Sequence, residues 1–290
     1  MFDFRYHALS LVAVFMALVI GILLGIAIGD KGLVSGTRKD LINSLRRDVG
    51  NARKDADQFK AQIAERDRLE RSLYPLVVQG RLTGQRVGLI ALGKLSDRQI
   101  GLVRDALRDT GGRLTLEAVV PQPPDLSRVS ARDSGLRGRP LVDDRRAVTR
   151  FARRFGAALT LGGPLVKRTR AVVFSTASGS FNGLDAVVVA RTDPVEANGA
   201  QAALNRAFEN GLMQGLSQRN APVVGTETTS TDPSQVPWFK RHSLSSVDNL
   251  NQLAGKVSLV FALAGANGAY GTKPSAQAPL PKAASGAGTG

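Results

Sequence analysis

The sequence contains no cysteine, and this absence excludes disulfide bonds, thiolate nucleophiles and any metal site that depends on cysteine sulfur. Imidazole chemistry is nearly excluded as well, because His7 and His242 are the only histidines. Aromatic residues make up 5% of the chain, so stacking platforms for nucleic-acid bases are scarce. Since the sequence also has no nucleic-acid recognition motif, these features argue against nucleic acid as a partner.

Acidic residues are also under-represented, with 24 Asp and Glu against 39 Lys and Arg. The resulting formal charge of +15 favours an anionic partner, either lipid head groups or envelope polymers. The chain of 290 residues is long enough for one medium domain with attached segments, and its 43% hydrophobic content allows that domain a packed core.

Polar side chains are almost missing from Ala8 to Gly29, where Ser10 is the exception. These 22 residues would span roughly 33 Å as a helix, which is about the thickness of a bilayer core. A buried core helix and a cleaved signal peptide ending near Ala27 are the alternatives. The run is apolar on every face and exceeds a usual signal-peptide core, so we predict a retained transmembrane anchor within residues 1–30.

Small residues recur at every fourth position of this predicted anchor. In lipid, such a stripe lets two helix backbones approach closely. We therefore predict a helix-association face, and with it a homodimer in the membrane. Its members are Ala13, Ala17, Gly21, Gly25 and Gly29.

The charges beside the predicted anchor leave its orientation open. Arg5 precedes the span, whereas Lys31, Arg38 and Lys39 follow it. By the positive-inside rule alone, the large domain would lie in the cytoplasm.

The segment 37–74 is predicted to form a coiled-coil stalk. Apolar residues recur there at intervals of three and four, and charged residues stand mostly between them. A single exposed helix is the alternative, and Pro75 disfavours helix beyond Tyr74. The stripe consists of Leu41, Leu45, Val49, Ala52, Ala56, Phe59 and Ile63.

Residues 84–271 are predicted to form an α/β domain. Arg86–Leu92 indicates a buried strand, Ser96 and Gln99 form a capping-box pattern for a helix, and residues 114–120 indicate a second strand. The alternation of strands and helices resumes from Asp185. It predicts a Rossmann-like α/β fold with a mostly parallel sheet. The segment 272–290 is rich in Ala, Gly, Pro and Ser, and is predicted to be a disordered tail.

Much of the positive charge lies in residues 128–170, which contain twelve Lys or Arg and three acids. Apolar residues there share one helical face, comprising Val148, Phe151, Ala152 and Phe155, whose opposite side is rich in arginine. We favour an ordinary domain helix with a solvated arginine face. The alternative is a surface that docks onto anionic lipid.

Motifs of catalysis are missing from the chain. It has no glycine-rich phosphate loop after the first strand and no serine nucleophile elbow. Asp185, Asp193 and Asp248 lie near predicted strand ends, but three acids do not define a reaction. We predict a protein that is not an enzyme and that has no evident cofactor.

A metal site is equally hard to identify from the residues. Copper(I) prefers thiolate and thioether ligands, and imidazole also suits copper. The methionines Met1, Met16 and Met213 do not cluster in sequence, so no metal ligands are assigned.

The two ends of the chain resemble the actinobacterial MctB-like family. The order of anchor, stalk, α/β domain and closing segment also matches that family. The matching segments are Phe4–Phe15 (FRYHALSLVAVF), Ile20–Gly25 (IGILLG), Val247–Asn249 (VDN), Gly255–Leu263 (GKVSLVFAL), Gly268–Gly271 (GAYG) and Ala278–Pro281 (APLP).

The resemblance implies two alternative functions. The family is described as a copper-transport envelope protein, which would make copper the possible metal. Its SteB-type members resemble scaffolds of cell division and envelope separation, with the large domain outside the cytoplasmic membrane. On this basis we expect a single-pass protein of the cell membrane whose large domain is extracytoplasmic, with an envelope or division protein as a possible partner. A single helix with a closely packing stripe argues against a barrel pore.

Overall fold

The computed structural model describes residues 4–29, 33–122, 124–132, 141, 144–192, 199–219 and 221–282. The chain divides into two compact units, residues 1–68 and residues 69–290, with the boundary inside a long helix.

The first unit begins with the apolar helix α1, Phe4–Gly29. Its stretch His7–Ala27 is long and apolar enough to cross a membrane, which agrees with the predicted anchor. The described large apolar side chains of this stretch are all at least half exposed, and none of the stretch is buried. A helix that exposes so much apolar surface needs an apolar surrounding.

The second helix, α2, spans Leu33–Val78 and is longer than the predicted stalk of residues 37–74. The apolar stripe of the stalk is exposed, with Leu45 at 53% and Phe59 at 63%. The helix continues through Pro75, contrary to expectation, because tertiary contacts outweigh the local preference. Tyr74 is buried and donates a hydrogen bond to the Ala106 carbonyl oxygen at 2.7 Å. Its burial raises the pKa of the Tyr74 hydroxyl.

A seven-stranded sheet forms the centre of the second unit, in the order β3-β2-β1-β4-β5-β6-β7. All neighbouring strands are parallel except β3, which pairs antiparallel with β2 at one edge. The predicted α/β fold with a mostly parallel sheet is therefore confirmed. The strands are β1 Arg86–Leu92, β2 Arg113–Val120, β3 Thr176–Gly179, β4 Ala186–Arg191, β5 Val223–Thr226, β6 Ser245–Val247 and β7 Ala269–Tyr270.

Helices cover both faces of the sheet. Alternate residues of the central strands point to opposite sides, so Ile90 and Leu92 enter one core while Leu89 and Ala91 enter the other. The end of α2, α3 and α9 pack on the second of these faces, and α4 to α8 pack on the first. The helices are α3 Asp97–Leu107, α4 Leu126–Arg132, α5 Arg145–Leu161, α6 Pro164–Val173, α7 Gly199–Leu216, α8 Val236–Arg241 and α9 Leu253–Leu263.

Two local predictions are confirmed. Ser96 caps α3 by accepting from the Gln99 amide, and the Gln99 side chain accepts from the Ser96 amide, which completes the capping box. On α5, the apolar face that includes Phe151 and Phe155 is buried. The opposite arginine face is exposed, and comprises Arg145, Arg146, Arg150, Arg153 and Arg154.

The segment 272–282 differs from the predicted disordered tail, because it packs against the carboxyl edge of the sheet. The main-chain amides of Thr272 and Lys273 donate to the Asp248 carboxylate at 2.8 and 3.0 Å. Ala278 forms a bridge with Tyr270. Composition alone does not reveal these contacts, since a polar, proline-rich segment can be ordered by buried charges on its neighbours. Residues 283–290 lie outside the described part of the chain.

Candidate functional site at the carboxyl edge of the sheet

The strand order reverses between β1 and β4, and in open α/β sheets ligands bind beside the carboxyl ends of the strands at such a switch point. Gly93 follows β1 here with a φ of +101°, and Thr192 follows β4. A Cβ at position 93 would come within 2.8 Å of the Gln122 Oε1 atom and 3.3 Å of the Thr192 Cβ atom. Glycine at this position therefore lets Gln122 and Thr192 pack directly against the main chain.

A buried ion pair lies beside this switch point. Arg191 ends β4 and Glu209 lies on α7; their side chains are 9% and 5% exposed, and Arg191 Nε is 3.4 Å from Glu209 Oε1. Gln122 Nε2 donates to the same carboxylate oxygen, and Arg191 Nη1 donates to Gln235 Oε1. The guanidinium carbon of Arg191 lies 4.9 Å from the centre of the Trp238 ring. These contacts fix the position of the arginine from several sides.

The network continues along the edge through Glu227, which follows β5. The Gln235 main-chain amide donates to Glu227 Oε2, and Lys273 Nζ donates to Glu227 Oε1 at 2.6 Å. Ser234 Oγ also donates to Glu227 Oε1, at 2.8 Å. The next acid along the edge, Asp248, follows β6 and is fully buried. One connected set of polar contacts thus crosses the carboxyl edge from β2 to the segment after β7.

Several buried polar atoms at this edge and on α7 lack a hydrogen-bond partner among the described residues. They are Gln122 Oε1, Asn249 Oδ1 and both amide atoms of Asn205. Asn205 is 3% exposed. Buried amide groups in folded proteins are nearly always hydrogen-bonded, so these atoms are exceptions to the usual pairing.

The three acids that the sequence singles out lie in different places. Asp248 belongs to the carboxyl edge, as its position after a strand predicts. Asp185 lies at the opposite edge, where its carboxylate pairs with Arg86 at 3.0 Å. The hydrogen bond from the Arg86 guanidinium lowers the pKa of Asp185. Asp193 lies outside the described residues.

The potential copper ligands do not come together in the described part of the chain, which holds no group of three or more His, Cys, Asp or Glu that could bind a metal ion. His242 Nδ1 donates to the Trp238 carbonyl oxygen at 2.9 Å, and His242 Nε2 lies 2.7 Å from the side-chain oxygen of Asn210. It borders a cleft of about 420 Å³ between the end of α7 and α8. Met213 is buried in the core, and Met16 lies on α1.

The predicted association face lies along α1, as its spacing requires. A Cβ at Gly21 or at Gly25 would meet no atom within 4 Å. Ala13 and Ala17 are exposed, and Gly29 is the last residue of the helix. The first four members of the stripe are thus uncovered in the single chain.

Sequence reasoning missed Arg191 and Glu209, which form the buried ion pair of the carboxyl edge, and the buried Asn205 on α7. A signal for two of them exists. Asn205 and Glu209 are one turn apart, on the same face of α7 as the buried Leu212 and Leu216. An acid and an amide on an otherwise apolar face are costly to bury, so they indicate a polar partner within the fold.

Taken together, the structure defines an α/β protein with a polar carboxyl edge and an N-terminal helix that is long and apolar enough to cross a membrane. The family model described as copper transport outer membrane protein, MctB, matches residues 1–134 and 141–281. The chain therefore belongs to the MctB family, and the resemblance seen at its two ends extends over nearly the whole sequence. A comparison with curated proteins finds no match.

Proposed function

We propose that this protein is a non-enzymatic, single-pass membrane protein of the cell envelope that serves copper transport or homeostasis. The match to the copper-transport family over nearly the whole chain is the observation on which this proposal depends. The apolar stretch His7–Ala27 supports a membrane location, since its exposed surface is suited to lipid.

In this proposal α1 anchors the protein and α2 forms a coiled-coil stalk with the α2 of a second copy. Two features support the pairing. The apolar stripe of α2 is exposed in the single chain, including Leu41, Val49 and Ile63. The stripe of small residues on α1 suits close helix packing in lipid.

Copper is the cargo in this proposal, and no residue is assigned to hold it. The polar atoms at the carboxyl edge are oxygens and amide or cationic nitrogens, which are harder than the sulfur ligands that copper(I) prefers. The α/β domain is therefore proposed to support transport through its place in the envelope.

Copper tolerance of a deletion strain tests the proposal. We expect the strain to grow less well at raised copper and to recover with the full chain. The variant Val19→Arg, Ile20→Arg should fail to restore tolerance, because each arginine at the centre of a membrane helix costs about 3 kcal/mol. The matched variant Val19→Leu, Ile20→Leu should restore it. Unchanged copper tolerance after deletion would refute the copper role.

A scaffold of cell division and envelope separation is the second candidate. It is favoured by the exposed arginine face of α5, which offers a charged surface to an anionic polymer or protein. This candidate predicts that deletion impairs cell separation at normal copper, and that the protein gathers at the septum. Scoring copper tolerance and cell separation in the same strain distinguishes the two roles.

The proposed extracytoplasmic location of the domain has a direct test, because the chain contains no cysteine. In Lys240→Cys, an exposed site on α8 becomes a single thiol. A membrane-impermeant maleimide should label it in intact cells as strongly as in permeabilised cells. Labelling only after permeabilisation would place the domain in the cytoplasm.

A further inference from the structure

The segment from Arg145 to Leu184 combines many basic residues with no acidic ones. It contains no Asp and no Glu, and it forms α5, α6 and β3. Its basic side chains are all exposed, so this part of the domain surface is strongly positive. They are Arg145, Arg146, Arg150, Arg153 and Arg154 on α5, and Lys167, Arg168 and Arg170 on α6.

The arginines of α5 repel one another. Arg150 lies four residues after Arg146 and three before Arg153, so these side chains are neighbours on one helix face. Like charges at such spacings destabilise a helix. Among the described residues, Asp144 lies 3.8 Å from Arg150, and no carboxylate lies within ion-pair distance of Arg146 or Arg153. An anion bound along this face would relieve the repulsion.

Three exposed arginines elsewhere in the domain lie beside carboxylates instead. The closest contact in each pair is 2.6 to 3.0 Å, and the pairs are Arg104 with Glu117, Arg108 with Asp105, and Arg86 with Asp185. A surface that serves solubility alone mixes the two signs of charge in this way. The arginine face of α5 departs from that pattern, which favours an anionic partner from outside the chain.

Two kinds of anionic partner suit this face poorly. A helix that lies on a membrane also inserts apolar side chains, but Leu161, at 46%, is the one large apolar side chain of α5 that is exposed. Single-stranded nucleic acid is bound with aromatic side chains on which its bases stack. The aromatic residues between Arg145 and Leu184 are all buried, and they are Phe151, Phe155, Phe174 and Phe181.

A linear polymer of phosphate groups matches the arrangement better. Arg146, Arg150 and Arg153 lie on successive turns of α5, so their charges recur at intervals of about 5 Å along the helix axis. Guanidinium groups bind phosphate through two parallel hydrogen bonds, whereas the ammonium group of lysine acts as a point charge. Lys167 is the one lysine among the basic residues of this segment.

We propose that the arginine face of α5 binds a linear polymer of phosphate groups. Arg146, Arg150 and Arg153 each bind a phosphate, and the basic residues of α6 add to the attraction. The proposal rests on the scaffold candidate for the biological use of this surface, and it names the chemistry of the partner. It does not depend on the copper role.

Fluorescence polarisation tests the binding with the full chain in phosphatidylcholine nanodiscs. The probe is fluorescein-labelled linear polyphosphate, and the competitor is inorganic phosphate at the same total phosphate concentration. We expect the polymer to bind and the single ion not to displace it, because several contacts act together on one polymer. The affinity should fall at least about tenfold between about 50 and 200 mM salt, since about three phosphate contacts release counterions.

A test variant and a matched control remove the same number of charges. The test variant carries Arg146→Gln, Arg150→Gln and Arg153→Gln. The control changes three exposed arginines outside α5 and α6, and carries Arg98→Gln, Arg113→Gln and Arg241→Gln. The test variant should lose at least about tenfold in affinity and show a shallower salt dependence, whereas the control should lose less than about threefold. The Tm of the test variant should not fall by more than about 3 °C, because glutamine and arginine have similar helix propensities.

Four results would overturn the proposal. The first is a lack of polyphosphate binding by the unchanged protein, and the second is displacement of the polymer by inorganic phosphate. The third is an equal loss of affinity in both variants, which would show that net charge and not this face is responsible. The fourth is sedimentation of the nanodiscs with vesicles of phosphatidylcholine and phosphatidylglycerol, at about 7:3, that is lost in the test variant. That result would assign the face to lipid.

The binding assay uses purified protein, whereas cell separation and copper tolerance are scored in a deletion strain. A failure of polymer binding is therefore distinguished from a failure of either cellular role.

Discussion

At the scale of single residues, the ammonium group of Lys273 is held by two short hydrogen bonds in a largely buried place. It donates to the Glu227 carboxylate and to the Thr231 carbonyl oxygen, both at 2.6 Å. The side chains of Lys273 and Glu227 are 15% and 1% exposed. Removing one partner of such a pair leaves a buried charge without compensation, which is far more costly than losing a surface contact.

We therefore expect Lys273→Met to lower the free energy of unfolding by about 3 kcal/mol. Denaturant unfolding of the full chain in detergent, followed by fluorescence of the single tryptophan, Trp238, measures this change. Lys167→Met, at an exposed lysine on α6, is the control and should change stability by less than about 0.5 kcal/mol. Adding Glu227→Gln to Lys273→Met should recover part of the loss. A loss that does not recover would show that Glu227 is not the partner that matters.

The pair of Asp185 and Arg86 makes stability depend on pH in a defined direction. Hydrogen bonding from Arg86 lowers the folded-state pKa of Asp185, so the pair stabilises the fold fully above the unfolded pKa of about 3.9. This stabilisation is lost as the pH falls through the lowered folded-state value. The stability difference between the unchanged protein and Asp185→Asn should be constant from pH 7 to pH 5 and should shrink at more acidic pH. A difference that grows as the pH falls would contradict this assignment.

At the scale of elements, α5 and α7 pack more closely than ordinary side chains allow. Cβ atoms at Gly156, Gly211 and Gly215 would each clash with a main-chain carbonyl oxygen on the opposing helix. The glycines thus allow the two helix backbones to approach directly, and Glu209 of α7 reaches Gln122 and Arg191 at the carboxyl edge of the sheet.

Gly215→Ala is expected to lower the free energy of unfolding by about 1–3 kcal/mol, because the new methyl group would clash with the Arg153 carbonyl oxygen. Gly101→Ala on α3 makes the same change where no atom lies within 4 Å. It should raise stability by about 0.5–1 kcal/mol, since alanine is the better helix former. Denaturant unfolding measures both. Equal effects at the two sites would show that the close approach is not the cause.

The elements that sequence reasoning located are those with strong local signals. The capping box at Ser96 gave the start of α3, and the apolar run of β1 was located at Arg86–Leu92. The antiparallel strand β3, Thr176–Gly179, was missed because all four of its residues are exposed and small or polar. It is held only by pairing with β2, and such a contact is not local in sequence.

The candidate site was predictable only in part, because most of its contacts join residues that are distant in sequence. Asp248 follows a strand, so its place at the carboxyl edge could be anticipated. Arg191, Glu209 and Gln235 come from β4, α7 and the start of α8, and their spacing along the chain contains no motif. The fold alone brings them together. The order of the segment after Tyr270 was likewise not predictable from the sequence, because its partners Asp248 and Glu227 are distant in sequence.

At the scale of the whole molecule, the uncovered stripes on α1 and α2 predict self-association. We expect Gly21→Ile with Gly25→Ile to weaken association in a membrane two-hybrid assay, because the larger side chains separate the helix backbones. Leu18→Ile with Leu23→Ile, which lie off the stripe, is the control and should leave the signal unchanged. An unchanged signal in the glycine variant would show that the stripe is not the contact surface.

The pairing of β1 with β4 also has a consequence for how the domain reaches its native state. The Arg86 main-chain amide donates to the Asp185 carboxylate across 99 residues, so the middle of the sheet joins segments from distant parts of the sequence. Such contacts form only after a large loss of chain entropy, and folding that depends on them is slow. Until β4 pairs with β1, the apolar edge of β1 can pair with strands of other chains. The time needed to complete the central pairing, rather than final stability, therefore sets how long each new chain is exposed to aggregation.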